Sequence, residues 1–442
     1  MEEHELLDQA VKRLRQGFST LPPHEQPHDW ERLSEVLEEV AGRLHDNFPY
    51  FHPLYAGQML KPPHPVARLA YSLAMHINPN NHALDGGRAS SAMEKEAVAR
   101  IAEMVGWRQF LGHLTGGGTM ANLEALWVAG KLRPGATVLA SQQAHYTHTR
   151  ISEVLGLRFE AVPVDGSARM DITTLRHRLE RGDVGTVVAT LGTTAAGAID
   201  PLSALVQLRQ QFGYYLHVDA AYGGYYLLAD NLSPETKQAF ACIKEADSIV
   251  LDPHKHGLQP YGCGCILFRD PAVGRFYRHD SPYTYFSSDD LHLGEISLEC
   301  SRAGATAVAL WATQRMLRMD HGSEFALDLE RCHRAASVLY EKLAGDARYL
   351  TIFPPELDIV LWAPAASSSS VISDLSREYF KRAAAQDLHL ALADLPSSLL
   401  ARHWAHVDFD RPAVTCLRSC LMKAEHLEWI DRIWTILDGI AC

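Results

Sequence analysis

A lysine closes the apolar stretch Asp247-Ser-Ile-Val-Leu-Asp-Pro-His-Lys255. Short apolar runs bounded by turn signals read as strands buried on both faces. A lysine at the end of such a strand enters a low-dielectric site, where burial disfavours the ammonium form and leaves a nucleophilic amine. That amine forms Schiff bases with carbonyl compounds. A lone lysine is more often a solvated loop residue, so this reading depends on its company.

Asp219 supplies the first companion, closing a second apolar run in Tyr214-Tyr-Leu-His-Val-Asp-Ala-Ala-Tyr-Gly223. Pyridoxal phosphate (PLP) needs an acidic partner for its pyridine nitrogen, because the protonated ring is the electron sink for a carbanion. The small Ala220 and Ala221 would let a flat ring lie close to the backbone. A third segment, Thr115-Gly-Gly-Gly-Thr-Met-Ala-Asn122, stands between a strand-like and a helix-like stretch. Its glycines, among them Gly118, free backbone N–H groups; Thr119 adds a hydroxyl, and a helix start favours an anion. It is neither a dinucleotide fingerprint nor a Walker loop, which suggests a lone phosphate. His145, in Ser141-Gln-Gln-Ala-His-Tyr-Thr-His, could stack on an aromatic cofactor and pass protons. Thr194, in Gly192-Thr-Thr-Ala-Ala-Gly-Ala-Ile-Asp200, could touch the ring or merely cap its loop.

With these segments in this order, the chain resembles the group II PLP-dependent amino acid decarboxylases, of the aromatic-L-amino-acid and tyrosine decarboxylase kind. Ser90-Ser-Ala-Met-Glu94 is similar to that family's Thr-Glu-Leu-Glu segment. The resemblance is clear over residues 45–310 and looser at the flanks. It implies PLP fold type I, the α/β architecture of aspartate aminotransferase, with a mostly parallel central sheet and a smaller C-terminal α/β domain. It also implies decarboxylation of an L-amino acid to the amine and CO2. Lys255 would hold pyridoxal 5'-phosphate, Asp219 would partner the ring nitrogen, and His145 would stack on the ring. Gly118, Thr119 and His254 would hold the phosphate, with Thr194 and Ala221 against the ring. Asp252 stands where some relatives carry Asn, which leaves its role open.

The chain departs from the animal enzymes at His256, where they carry Trp, and in the stretch 280–295. The proton donor to Cα could be Tyr283, Tyr285 or His292; His292 is preferred for its spacing from Arg302. Relatives without the donor turn to aldehyde synthesis. An aminotransferase or carbon–carbon lyase would share Lys255 and Asp219. Arg418 could clamp a carboxylate in such an enzyme, although a domain-interface salt bridge is its expected role. An inactive PLP-binding scaffold is the non-enzyme alternative, disfavoured by the intact Lys255, Asp219 and His145. Phe51, Tyr55, Tyr283, Tyr285 and Phe286 suggest an aromatic substrate, although all five could instead pack an interface. With only Lys61 and Arg88 nearby, an acidic one is less favoured.

The elements that must position these residues follow from the rest of the chain. Its 442 residues allow two or three domains. Hydrophobic content of 47% and charged content of 21% are those of a globular protein. A net charge of −12 without a basic block argues against nucleic acid or an anionic membrane as partner. No apolar stretch reaches membrane-spanning length, and the acidic N-terminus does not read as a signal peptide. No metal-site spacing is present among the eight cysteines, which are expected to be reduced thiols in a cytoplasmic protein.

Strands are expected near residues 110, 137, 160, 187, 215, 248 and 264, alternating with helices. A helix is expected over 303–319, another over 324–343, and a strand over 357–362. The expected organisation is an N-terminal helical and irregular segment 1–88, a PLP-binding α/β domain 89–310 and a small domain 311–442. Apolar residues recur at helical spacing over 1–46, from Leu6 to Leu44. That stripe predicts a pair of amphipathic helices, which could pack on the chain's own core; the resemblance implies that they bury on a partner subunit, making the protein a homodimer.

Overall fold

Runs such as Val184–Thr190 and Ser248–Leu251 carry apolar side chains on both faces of the extended chain, and only the interior of a sheet can bury both. A computed structural model, which describes residues 2–22, 24, 27–278 and 291–441, shows that sheet. Its strands are β1 (Leu111–Thr115), β2 (Thr137–Ser141), β3 (Arg158–Val162), β4 (Val184–Thr190), β5 (Tyr215–Asp219), β6 (Ser248–Leu251) and β7 (Gly264–Phe268). They pair in the order β1-β7-β6-β5-β4-β2-β3. Strand β7 runs antiparallel to both its neighbours, and the remaining pairings are parallel. Every residue of β2, β5, β6 and β7 is buried, whereas edge strand β3 exposes Arg158 and Glu160.

The helix Gly118–Leu132 crosses β5, β6 and β7. Its inward positions are small, with Gly118, Ala121, Ala125 and Ala129 all buried, so the helix axis lies close to the sheet. Helix Gly304–Met316 packs on Leu84–Met104 and Pro65–Met75. The expected helix 303–319 ends at Met316, because Leu317 is extended at φ −112°, ψ 124°.

A second sheet is antiparallel throughout: β8 (Tyr349–Thr351), β9 (Ile359–Pro364), β10 (Ala391–Pro396) and β11 (Ala413–Cys420), in the order β10-β11-β9-β8. Helices Glu324–Ala344, Ser369–Ala384 and His426–Ile440 cover it around a core containing Trp362, Tyr349, Leu417 and Ile433.

Two helices, Glu3–Gln16 and Trp30–Leu44, open the chain. The first packs on Pro65–Met75 and ties Glu3 to Arg68 at 2.6 Å. The second buries none of its residues. Among the described residues no helix is long and apolar enough to cross a membrane, and the seven described cysteines form no disulfide.

Candidate active site

The parallel strands deliver their C-terminal ends to one side of the sheet, where open α/β sheets form ligand crevices. Thr115 closes β1 and leads into the glycine loop; His145 follows β2, Thr194 follows β4, Asp219 ends β5, and Lys255 follows β6. These ends surround a cavity of about 510 Å³. Gly118, Thr119, His145, Thr194, Asp219, Ala221, His254 and Lys255 all line it, so eight residues read from separate segments meet in one place.

One wall of the cavity is the start of helix Gly118–Leu132, which has no side-chain cap. Its first-turn N–H groups therefore face the cavity end without an internal acceptor. Gly117 sits at φ 146°, a conformation L side chains rarely adopt. At Gly118 a Cβ would lie 2.7 Å from Asp252 Oδ2, so a side chain there would displace that carboxylate. His254 packs its ring against Tyr261 with centroids 4.7 Å apart, and its buried Nδ1 has no hydrogen-bond partner. Uncapped N–H groups, a hydroxyl and an unpartnered imidazole nitrogen form a cradle suited to a phosphate.

Lys255 Nζ lies 3.1 Å from Asp252 Oδ2, and His254 Nε2 lies 3.5 Å from the same oxygen. Asp252 is thus the charge partner of the lysine. His145 is half-buried, with Nδ1 accepting from the Thr147 N–H at 3.2 Å. Burial pushes the His145 imidazole below its ordinary range, against the attraction of Asp219, and favours the neutral ring. His254 is shifted the same way by burial.

Asp219 is 4% exposed. Its Oδ2 accepts from His148 Nε2 at 2.8 Å and from Asn122 Nδ2 at 3.3 Å, and its Oδ1 accepts from the Ala221 N–H at 3.2 Å. Burial alone would push this carboxyl up. The His148 hydrogen bond, with the positive charge of Lys255, outweighs it and holds the group below the usual carboxylate range.

Three placements differ from the sequence reading or add to it. His292 does not line this cavity; it is fully buried, and its Nδ1 accepts from the Leu84 N–H at 3.1 Å. Tyr283, Tyr285 and Phe286 lie outside the described residues. Arg418 is buried, but the expected salt bridge is absent: its Nε meets Cys420 Sγ at 3.2 Å and its Nη2 meets Gln58 Oε1 at 3.3 Å, with no carboxylate paired to it among the described residues. His256 faces away from the cavity towards the buried Asp358, which also accepts from the Tyr222 hydroxyl at 2.6 Å. Sequence reasoning missed Asn122, His148 and Tyr222. His148 was visible only as a second histidine three residues after His145, at the spacing of one helical turn.

A mostly parallel α/β sheet, an anion cradle at a helix start, and a lysine and aspartate at neighbouring strand ends define a cofactor-dependent enzyme of PLP fold type I. The chain belongs to the pyridoxal-dependent decarboxylase family, whose conserved domain matches residues 18–363. It is 27% identical to an L-tyrosine decarboxylase of Enterococcus faecium, over 81% of this chain and 77% of that protein. It is 32% identical to a probable L-aspartate decarboxylase of Halobacterium salinarum, over 68% of this chain and 80% of that protein. It is 28% identical to an L-2,4-diaminobutyrate decarboxylase of Acinetobacter baumannii, over 71% and 69%. The crystal structure of mouse CSAD shares the fold, with a TM-score of 0.80 at 21% identity over the whole of this chain and 93% of that one. The Oryza sativa TDC structure with PLP and tryptamine does so at a TM-score of 0.79 and 18% identity. The protein is a PLP-dependent amino acid decarboxylase.

Proposed function

We propose that this decarboxylase acts on a neutral L-amino acid, aromatic ones first, with Lys255 holding the cofactor and Asp219 facing its ring nitrogen. The observation that carries the reading is the convergence of Lys255, Asp219 and the uncapped helix start on one cavity. When bound, PLP supplies a protonated ring that takes up the electron pair left as the Cα–COO⁻ bond breaks. The chain's own residues do the rest. Helix 118–132, Thr119 and His254 bind the phosphate, and Ala221 leaves room for a flat ring. The half-buried imidazole of His145 covers that ring, and Lys255 Nζ presents the attaching amine beside Asp252.

Substrate class follows from the lining. Met120, Leu123 and Tyr222 give the cavity apolar surface, and Glu299 adds a carboxylate paired with no Lys or Arg among the described residues. That charge opposes an acidic side chain. The same carboxylate favours a second reading, a substrate with a side-chain ammonium group. Assaying the twenty common amino acids and 2,4-diaminobutyrate for amine and CO2 release separates the readings. Turnover confined to aspartate or glutamate would overturn both, and aldehyde with peroxide in place of amine would identify an aldehyde synthase.

The proposal includes a homodimer, because the uncovered apolar face of helix 30–44 needs a partner surface. It also includes residence in the cytoplasm, where the unpaired cysteines would stay reduced.

A further inference from the structure

We infer that His148 is a positioning residue that holds the Asp219 carboxylate as a hydrogen-bonded anion, supported from behind by a Ser248–His217–Asn122 relay. The inference rests on the reading of Asp219 as the partner of the ring nitrogen. One helix start, after β2, supplies two histidines with different tasks: His145 lines the cavity, while His148 is fully buried and does not.

The relay has one self-consistent proton arrangement. Burial pushes His217 down to about 3, so its ring is neutral and carries a single N–H. His217 Nε2 lies 2.8 Å from Asn122 Oδ1, and its Nδ1 lies 2.8 Å from Ser248 Oγ. With Asn122 Nδ2 donating to Asp219, Asn122 Oδ1 must accept. The His217 proton is therefore on Nε2, and Ser248 donates to Nδ1. A flipped Asn122 amide would set N–H against N–H and oxygen against carboxylate, so the relay locks its orientation.

His148 completes the arrangement on the same carboxylate oxygen. Its Nδ1 is buried without a hydrogen-bond partner among the described residues, a cost that an apolar side chain of similar size would not carry. What the histidine gains for that cost is its Nε2 bond to Asp219. Both donors converge on Oδ2, and Oδ1, which accepts one backbone N–H, keeps a lone pair for a further donor. The titratable groups facing Asp219 are His148 and His145 from the helix start, His217 on its own strand, and Lys255 after β6.

Two substitutions test the role: His148→Leu removes the donor, and His148→Gln replaces it with an amide. In the loaded enzyme, His148→Leu should lower kcat about 10–100-fold with KM nearly unchanged, the usual size of such outer-layer effects. His148→Gln should recover most of that loss. The cofactor-free protein gives an independent reading through thermal unfolding against pH. Wild-type Asp219 is ionised in the fold, so its contribution is present above the carboxylate range and is lost as pH falls. In His148→Leu burial acts unopposed by that donor, so the Tm deficit relative to wild type should widen from pH 4 to pH 7. A deficit independent of pH, or a Gln variant no better than Leu in kcat, would overturn the inference. If the widening deficit appears in cofactor-free protein while kcat stays unchanged, the His148–Asp219 coupling stands and the ring-nitrogen reading of Asp219 fails instead.

Discussion

Glu94 and Arg302 form an ion pair 2.7 Å long in which both side chains are almost wholly withdrawn from solvent. Glu94 Oε1 also accepts the Leu114 N–H at 3.0 Å, and Arg302 Nη1 donates to the Leu114 carbonyl at 2.5 Å. The pair thus grips both backbone groups of Leu114, one residue before the end of β1, where the glycine loop begins. Asn81 adds a 2.6 Å bond to Glu94 Oε2. Glu94→Gln leaves a buried guanidinium without its counter-charge, a change that costs about 3–5 kcal/mol. Urea unfolding should show that loss, and the affinity for PLP should fall with it, because the loop's anchor is weakened.

His292 makes a buried hydrogen bond to the Leu84 N–H at the start of helix Leu84–Met104. His292→Phe should therefore lose about 1–3 kcal/mol of stability through the orphaned N–H. The ratio of amine to aldehyde product should stay unchanged. A variant of wild-type stability that accumulates aldehyde would instead return His292 to the role of Cα proton donor.

Leu33, Val36, Leu37, Val40 and Leu44 form an apolar stripe on helix Trp30–Leu44, with Leu37 58% exposed. If a partner subunit covers this stripe, the wild-type chain should sediment at twice its own mass. Leu37→Asp places a charge in that contact and should shift the species towards one chain. A wild-type protein that sediments as an active single chain would remove the homodimer.

Two histidines are pushed far below their ordinary range by burial, His217 and His426, both to about 3. Each favours the neutral ring in the fold, while the unfolded chain binds a proton near pH 6.5. Unfolding therefore takes up protons below that value. The contribution of these two rings should be level above pH 7 and fall progressively as pH drops from about 6.5 towards 3, offset in part by Asp200, whose buried carboxyl is pushed up to about 7. Urea midpoints measured across that range check the slope; level midpoints down to pH 4 would contradict it.

The inner strands of the large sheet were legible because strands buried on both faces need contiguous apolar residues, as in Val184–Thr190 and Ser248–Leu251, whereas edge strand β3 exposes Arg158 and Glu160. The convergence of the candidate residues on one cavity was legible for a related reason: parallel strands end together, so chemistry at the ends of separate runs meets. Asn122 and His148 were not. Their roles depend on the rotational phase of two helices against β5, which side-chain spacing along the chain does not encode. Arg418 reads as a salt-bridge residue by type, yet its fork meets a thiol and an amide, because β11 places Cys420 two residues along the same face and Gln58 beside it.

Lys255 is proposed to carry the cofactor of this decarboxylase. Wild-type protein loaded with PLP, reduced with borohydride and digested should yield one modified peptide, the one containing Lys255. Lys255→Ala should fold, yield no modified peptide and release neither amine nor CO2 from any substrate the wild type accepts. A modified peptide elsewhere in the chain, or decarboxylation by Lys255→Ala at near wild-type rate, would contradict the account.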